Sequence, residues 1–354
     1  MTFLKKGYKT LVPYVPGEQP KDAVYTKLNT NESPFPPSEK TKGVLDNAVE
    51  KLRLYSDPES TDVTKAIANY YGVSEKNVLV TNGSDESLAF IFCGFFDKKS
   101  KVAFPDISYG FYPVFAKYAG VSYKEIPLLD DFSIDVDAFV NTKCHVVIAN
   151  PNAPTGKAIP ISDIKRILDK DPRRIVVVDE AYVDFGAESS VSLINEYGNL
   201  IVVQTFSKSR QLAGARLGFC IASESLINDI KTVKYSFNPY NVNTLTAILG
   251  KACIEDTDYF DACRKTIMDN RAYCTEKLRE MGFSVLDSYA NFIFAKHENI
   301  SGEKLYKELK NRMVLVRHFD KERIKDYVRI TIGTREQIDV LLTAIKDIFG
   351  GTNA

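Results

Sequence analysis

Five short apolar runs set the rhythm of the first two thirds of the chain. Val78-Leu79-Val80, Val102-Ala103-Phe104, Val146-Val147-Ile148-Ala149, Ile175-Val176-Val177-Val178 and Leu200-Ile201-Val202-Val203 are rich in β-branched residues and bounded by polar ones. That is the pattern of strands buried on both faces. Segments of helical period lie between and before them. Val63, Ala66, Ile67, Tyr70 and Tyr71 recur at i, i+3, i+4, i+7 and i+8 and stop at Gly72, and a second helical run covers Glu86 to Phe96. Strands and helices alternating from about 77 to 222 predict an α/β fold, a mostly parallel sheet covered by helices on both faces.

The pattern changes after Ile221. Phe237-Asn238-Pro239-Tyr240-Asn241-Val242 interrupts the helical character, and a long helical pattern then runs from about 243 to 281 and stops at Gly282. Phe283–Leu286, Asn291–Phe294, Val314–Val316 and Tyr327–Ile332 read as shorter strands, with helices at 301–312 and 335–349. This predicts a second, smaller α+β domain. Residues 1–44, with Pro13, Pro16, Gly17, Pro20, Pro34, Pro36 and Pro37, cannot form a regular helix and read as an arm wrapped over a neighbouring surface. The expected organisation is an arm and part of the small domain at 1–44, a large domain at 45–250 and the small domain proper at 251–354.

Chemistry-bearing residues follow the predicted strands. Ligands of open α/β sheets bind beyond the carboxyl ends of the strands, and each such end carries a distinctive segment. Thr81-Asn82-Gly83-Ser84-Asp85 is a glycine turn opening a helix, which presents free backbone N–H groups to an anion. Tyr109 follows the second run, where an aromatic can stack on a flat ring. Asn150-Pro151-Asn152-Ala153-Pro154-Thr155-Gly156 is a rigid loop able to hold an amide against a ligand, and Asp179 and Tyr182 follow the fourth run. Thr205 to Gly218 brings Ser207, Lys208 and Arg216 together: an amine able to form a Schiff base, beside a hydroxyl and a fixed cation suited to phosphate.

Taken singly, each segment has an ordinary reading: an N-cap, a core tyrosine, a stiff turn, a surface carboxylate, a solvated basic loop. Together they share one rim. They could serve a pyridine-ring cofactor bearing an aldehyde and a phosphate, with Lys208 on the aldehyde, Asp179 on the ring nitrogen and Tyr182 on the phenolic oxygen.

Composition narrows the partners. Lys plus Arg and Asp plus Glu number 46 each in 354 residues, so no global field favours nucleic acid or an anionic membrane. The six cysteines show no C-x-x-C spacing, which suits free thiols in a reducing compartment, and no stretch approaches the ~20 apolar residues of a membrane span. A cytoplasmic location is expected. His145, His297 and His318 lack ligand-like spacing, so no metal site is expected.

The motifs also carry a resemblance. Asn-Pro-Asn-Ala-Pro-Thr-Gly, Asp179-Glu-Ala-Tyr182, Thr-Phe-Ser-Lys208 through Leu-Ala-Gly-Ala-Arg216, and Val328-Arg329-Ile-Thr-Ile-Gly333-Thr resemble fold-type I pyridoxal-phosphate aminotransferases, and within them the histidinol-phosphate aminotransferases. The likeness extends from Leu11–Gly17 and Asn29–Glu32 to Gly333. It implies pyridoxal 5′-phosphate as cofactor, with Lys208 bonded to it and moving a proton between the substrate α-carbon and C4′. Asp179 would meet the ring nitrogen, Tyr182 and Asn152 the phenolate, and Tyr109 the ring face, while Ser84, Asp85, Ser207 and Arg216 hold the phosphate. Tyr55 would reach the cofactor phosphate of a partner subunit in a homodimer with shared sites. Arg329 would clamp the carboxylate of glutamate or 2-oxoglutarate, and Tyr14, Asn31 and Arg317 would contact a phosphorylated substrate. One position departs from the family pattern: the second of two consecutive asparagines is Ala153 here. A threonine-phosphate decarboxylase-like lyase and an aromatic or broad-range aminotransferase are the alternative activities on the same scaffold.

Overall fold

The computed structural model describes residues 3–4, 6–46 and 48–350. Positions 1, 2, 5, 47 and 351–354, which the expected arm and the two expected domains include, lie outside the described residues. Seven strands, β1 (Val78–Thr81), β2 (Lys101–Pro105), β3 (Ser122–Ile126), β4 (His145–Ala149), β5 (Val176–Asp179), β6 (Leu200–Thr205) and β7 (Gly218–Ala222), make one sheet. Its order is β1-β7-β6-β5-β4-β2-β3. Neighbours run parallel except at β7, which is antiparallel to both β1 and β6.

The five apolar runs are all strands of this sheet, and alternation along them shows why they are continuous in hydrophobicity. Val176, Val178, Leu200 and Val202 pack into one core, whereas Val177, Ile201 and Val203 pack into another on the opposite face. Both faces are therefore dry, as helix-covered parallel sheets require. The edge strand β3, Ser-Tyr-Lys-Glu-Ile, is mostly exposed. Its polar sequence gives no buried-strand signal.

Strand β7 fixes the site's geometry. Gly218 lies opposite Thr81 on β1, and a Cβ there would stand 2.3 Å from the Ser84 backbone nitrogen. Only glycine lets β7 pass beneath the turn that opens the helix Ser84–Phe95.

A second core gathers Leu28, Ile267, Leu305, Val328, Ile330 and Leu341 around a four-stranded antiparallel sheet, Arg317–His318, Val328–Thr331, Phe292–Lys296 and Ser284–Val285 in that order. The helices Gly302–Asn311 and Arg335–Gly350 pack on it. Two expectations change in this region. The run at 314–316 does not join this sheet as one strand: Val314–Leu315 pairs in parallel with Thr26–Lys27 of the arm, and the chain re-enters the sheet at Arg317. The helix expected over 243–281 is two, Thr244–Ile254 and Thr257–Glu280, divided at Glu255 and Asp256, where the Asp256 carboxylate accepts from Ser38 Oγ at 2.5 Å. Among the described residues no helix is long and apolar enough to cross a membrane.

Candidate active site

A cavity of about 890 Å³ opens at the carboxyl ends of β1, β2, β4, β5 and β6, with the second core on one side and arm residues 12–17 across its mouth. Lys208, Asp179, Tyr182, Ser84, Asp85, Tyr109, Ser207, Arg216, Tyr14, Asn31, Arg317 and Arg329 all line it. The residues from 84 to 216 converge because every strand of the large sheet but β7 points the same way, and the arm and the small sheet add Tyr14, Asn31, Arg317 and Arg329.

Lys208 stands three residues past β6, and its Nζ donates to the Thr30 carbonyl at 3.1 Å. Desolvation, reinforced by the Arg329 cation, pushes its ammonium down to about 8. A substantial neutral fraction near neutral pH makes it a competent nucleophile. Lining the same cavity at the end of β5 is Asp179, buried, its Oδ2 accepting from Tyr112 OH at 2.8 Å and its Oδ1 from the Ala181 N–H at 3.2 Å. Burial raises this carboxyl to about 6. Among the described residues no cation is paired with it, so its charge awaits one from a ligand.

The remaining groups fall into two clusters. Arg216 donates from Nη1 to Ser207 Oγ at 3.2 Å and from Nη2 to the Asp85 carboxylate at 3.3 Å, while Tyr109 OH donates to the other Asp85 oxygen at 2.8 Å. Gly83 adopts φ +80°, and a Cβ there would lie 2.7 Å from Arg216 Nη2. Bare backbone, a helix N-terminus, a hydroxyl and a guanidinium thus surround one point, a nest for phosphate. At the other end, Arg317 and Arg329 are direct cross-strand neighbours. Like charges in that register repel and are relieved by an anion. Arg329 Nη2 donates to the Asn29 carbonyl at 2.9 Å, but its buried Nε has no hydrogen-bond partner among the described residues.

Two expected residues lie elsewhere. Asn152 does not face the cavity: its Nδ2 donates to the Ile107 carbonyl at 2.9 Å and to Thr155 Oγ1 at 3.1 Å, and its Oδ1 accepts from Ser108 Oγ at 2.7 Å. The amide is used between its own loop and the segment after β2, and Ala153 holds the lining position. Asn152→Ala is therefore expected to lower unfolding stability by about 2 kcal/mol, because it strands buried partners, while the absorbance of cofactor-loaded protein stays as in the parent. Denaturant melts and spectra check this. Tyr55 is outside the cavity too, 84% exposed and stacked on Tyr240 at 4.7 Å between centroids.

The sequence reading missed Tyr112 and Thr30. Tyr112, wholly buried on the helix Tyr112–Ala119, is indistinguishable by pattern from a core tyrosine until its hydroxyl is seen on Asp179. Thr30 acts through a backbone carbonyl, on which side-chain motifs are silent.

These features fit pyridoxal phosphate: an unpaired buried carboxylate for a ring nitrogen, a weakly basic amine for an aldehyde and a nest for the phosphate. Comparisons agree. The family model for aminotransferase class I and II matches residues 23–345. The histidinol-phosphate aminotransferase of Brachyspira hyodysenteriae is 46% identical over 349 residues, 98% of this chain and 99% of the relative. Among solved structures, the histidinol-phosphate aminotransferase of Sinorhizobium meliloti in complex with pyridoxal-5′-phosphate superposes with a TM-score of 0.90 over 99% of both chains, at 21% identity. L-threonine-O-3-phosphate decarboxylase of Porphyromonas gingivalis does so with a TM-score of 0.80 over 92% of this chain and 99% of its own, at 22% identity, so the scaffold alone does not separate the two activities. The chain belongs to the aminotransferase class I and II family, the fold-type I enzymes that use pyridoxal phosphate, and within it to the histidinol-phosphate aminotransferases.

Proposed function

We propose that the chain transfers the amino group of histidinol phosphate to 2-oxoglutarate, giving imidazole acetol phosphate and glutamate. The observation that carries this reading is the Arg317–Arg329 pair, two adjoining cations at the far end of a cavity that has its own separate phosphate nest. One end can hold the cofactor while the other accepts, in turn, a substrate with a phosphate and a substrate with carboxylates.

Bound pyridoxal phosphate supplies an aldehyde to take up the amino group and a protonated ring to draw electrons from the substrate α-carbon. The residues do the rest. Lys208 Nζ would be the amine that holds the aldehyde and, when free, the base that moves a proton at the substrate α-carbon. Its Thr30 contact gives the freed amine an acceptor on the cavity wall. The ionised Asp179 would keep the ring nitrogen protonated, and Tyr112 orients that carboxylate. Tyr182 accepts from Asn31 Nδ2 at 3.0 Å, which leaves its own hydrogen free to point at the phenolate. With Asn152 withdrawn into its loop, Tyr182 carries that task alone. Tyr109 covers the ring face. Ser207, Arg216 and the backbone N–H groups of Ser84 and Asp85 hold the phosphate, the Asp85 side chain being occupied by Tyr109 and Arg216. Arg329 receives the dicarboxylate, and Tyr14, Asn31 and Arg317 receive the phosphorylated amine.

The working form in this reading is a homodimer. Leu52, Leu54, Tyr55, Phe237 and Tyr240 are all exposed, and the Tyr55–Tyr240 stack stands among them, which supports an interface through which Tyr55 reaches the partner's cofactor. Six free cysteines, five of them buried, support a cytoplasmic setting.

Purified protein given histidinol phosphate and 2-oxoglutarate is expected to form glutamate. Carbon dioxide released from phosphothreonine without glutamate formation would replace this reading with the decarboxylase, and turnover of phenylalanine alone would replace it with an aromatic aminotransferase.

A further inference from the structure

The arm crosses the mouth of the cavity without secondary structure of its own. Among the described residues, no backbone–backbone hydrogen bond involves positions 12–25. Side chains must therefore hold it. At its large-domain end Tyr14 packs on Phe111, 4.7 Å between ring centroids, and leans on Tyr109 at 6.1 Å. In the middle, Arg317 donates to the Val15 carbonyl at 3.2 Å and to the Pro16 carbonyl at 3.4 Å. Gly17 lies so close to the next layer that a Cβ would stand 2.7 Å from Thr30 Cγ2. That layer is the segment whose carbonyl receives Lys208 and whose Asn31 orients Tyr182.

On the small-domain side the arm is tied by the Thr26–Lys27 pairing with Val314–Leu315 and, nearer the cavity mouth, by the side chain of Glu18. The Glu18 carboxylate accepts from Tyr306 OH and from Lys310 Nζ, both on the helix Gly302–Asn311, and the Glu18 carbonyl accepts from Asn29 Nδ2 at 2.9 Å. Glu18 does not line the cavity, whereas residues 12–17 do.

We infer that Glu18 is a positioning residue for the phosphorylated substrate: its clamp on Tyr306 and Lys310 sets where Tyr14 and the Val15 and Pro16 carbonyls stand, and through them the direction of the Arg317 guanidinium. The inference rests on the histidinol-phosphate reading and deepens it. The dicarboxylate side of the reaction does not use the side-chain clamp: Arg329 is anchored on the Asn29 carbonyl, and Asn29 meets Glu18 through the Glu18 backbone carbonyl, which Glu18→Ala retains. Glu18 therefore acts on one of the two substrates. That selectivity separates positioning from a general contribution to stability, which would affect both.

Single-substrate kinetics on the cofactor-loaded enzyme test it. Glu18→Ala is expected to raise KM for histidinol phosphate about tenfold, the loss of one part-buried, doubly bonded charge pair, while kcat and the KM for glutamate in the reverse direction stay within about twofold. Lys310→Met is expected to move the same constant the same way, and the double variant to be no worse than Glu18→Ala alone, since Glu18→Ala already removes the Lys310 contact. Melting temperature and the absorbance of the bound cofactor, read on the same preparations, verify that the variants are folded and loaded. Equal changes in both KM values, or no change in either, would overturn the role of Glu18. A parent enzyme inactive on histidinol phosphate would instead overturn the substrate reading on which it rests.

Discussion

Lys208→Ala is expected to lower kcat by at least about 10⁴-fold, the range lost when a positioned acid–base group is removed, and to abolish the covalent adduct that borohydride traps in the parent protein. The size follows from two duties resting on one atom. Nζ is the nucleophile for the aldehyde and the cavity amine beside Tyr182, its distance to the Tyr182 ring centroid being 5.8 Å. Its other neighbour is a carbonyl oxygen, which cannot donate or carry a proton. Binding should survive, because the phosphate nest and Asp179 do not depend on Lys208, so the variant is expected to retain cofactor that dialysis removes slowly. The parent's pH dependence provides a second check. An amine pushed down to about 8 reacts as its neutral form, so the rate at which apoprotein captures pyridoxal phosphate should climb as pH rises towards about 8 and level off above it. Stopped-flow absorbance measures that rate. A flat profile, or undiminished turnover by the alanine variant, would remove Lys208 from the centre of the chemistry.

How far the sequence could be read depended on what kind of signal each feature leaves. The five strands built on apolar runs were legible because burial on both faces forces uninterrupted apolar runs. The exposed edge strand Ser122–Ile126 has no such constraint and was invisible. Strand Gly218–Ala222 has the apolar content, but its antiparallel direction depends on how the loop 206–217 folds back, which periodicity does not encode. Within the site, twelve chosen side chains do meet in one cavity: eight come from parallel strands that deliver their carboxyl ends to a common edge, and Tyr14, Asn31, Arg317 and Arg329 come from the arm and the small sheet. Asn152 misled because an asparagine in a loop announces only that an amide is available. Its destination, the Ile107 carbonyl and the Ser108 and Thr155 hydroxyls, is a matter of three-dimensional neighbours. The Glu18 clamp was equally hidden, joining positions 288 and 292 residues apart with no pattern linking them.

Asp179→Asn should retain the fold and lose the chemistry: kcat is expected to drop about 10³-fold, the upper range for removing one preorganised electrostatic contact at a reacting centre, and cofactor affinity about 10- to 100-fold, equivalent to one charge-assisted hydrogen bond. In the apoprotein the aspartate is a burden. It is buried, bonded to Tyr112 and the Ala181 N–H, and held near 6 against its ordinary 3.8 because it has lost its water. A carboxyl raised in this way favours the folded state fully below its unfolded value, and that contribution is lost as pH rises through about 6. At pH 7.5 the asparagine variant, free of this cost, should melt as an apoprotein no lower than the parent. The cofactor reverses the balance. A protonated ring nitrogen supplies the missing cation, so in the parent the affinity holds above pH 6 and weakens as Asp179 takes up a proton below it, while the variant shows no such step. Calorimetric melts of the apo forms and cofactor titrations across pH 5 to 8 measure the two halves separately. A variant that unfolds, or a parent whose affinity ignores pH through that window, would mean that the carboxylate holds the fold together and does not serve the ring.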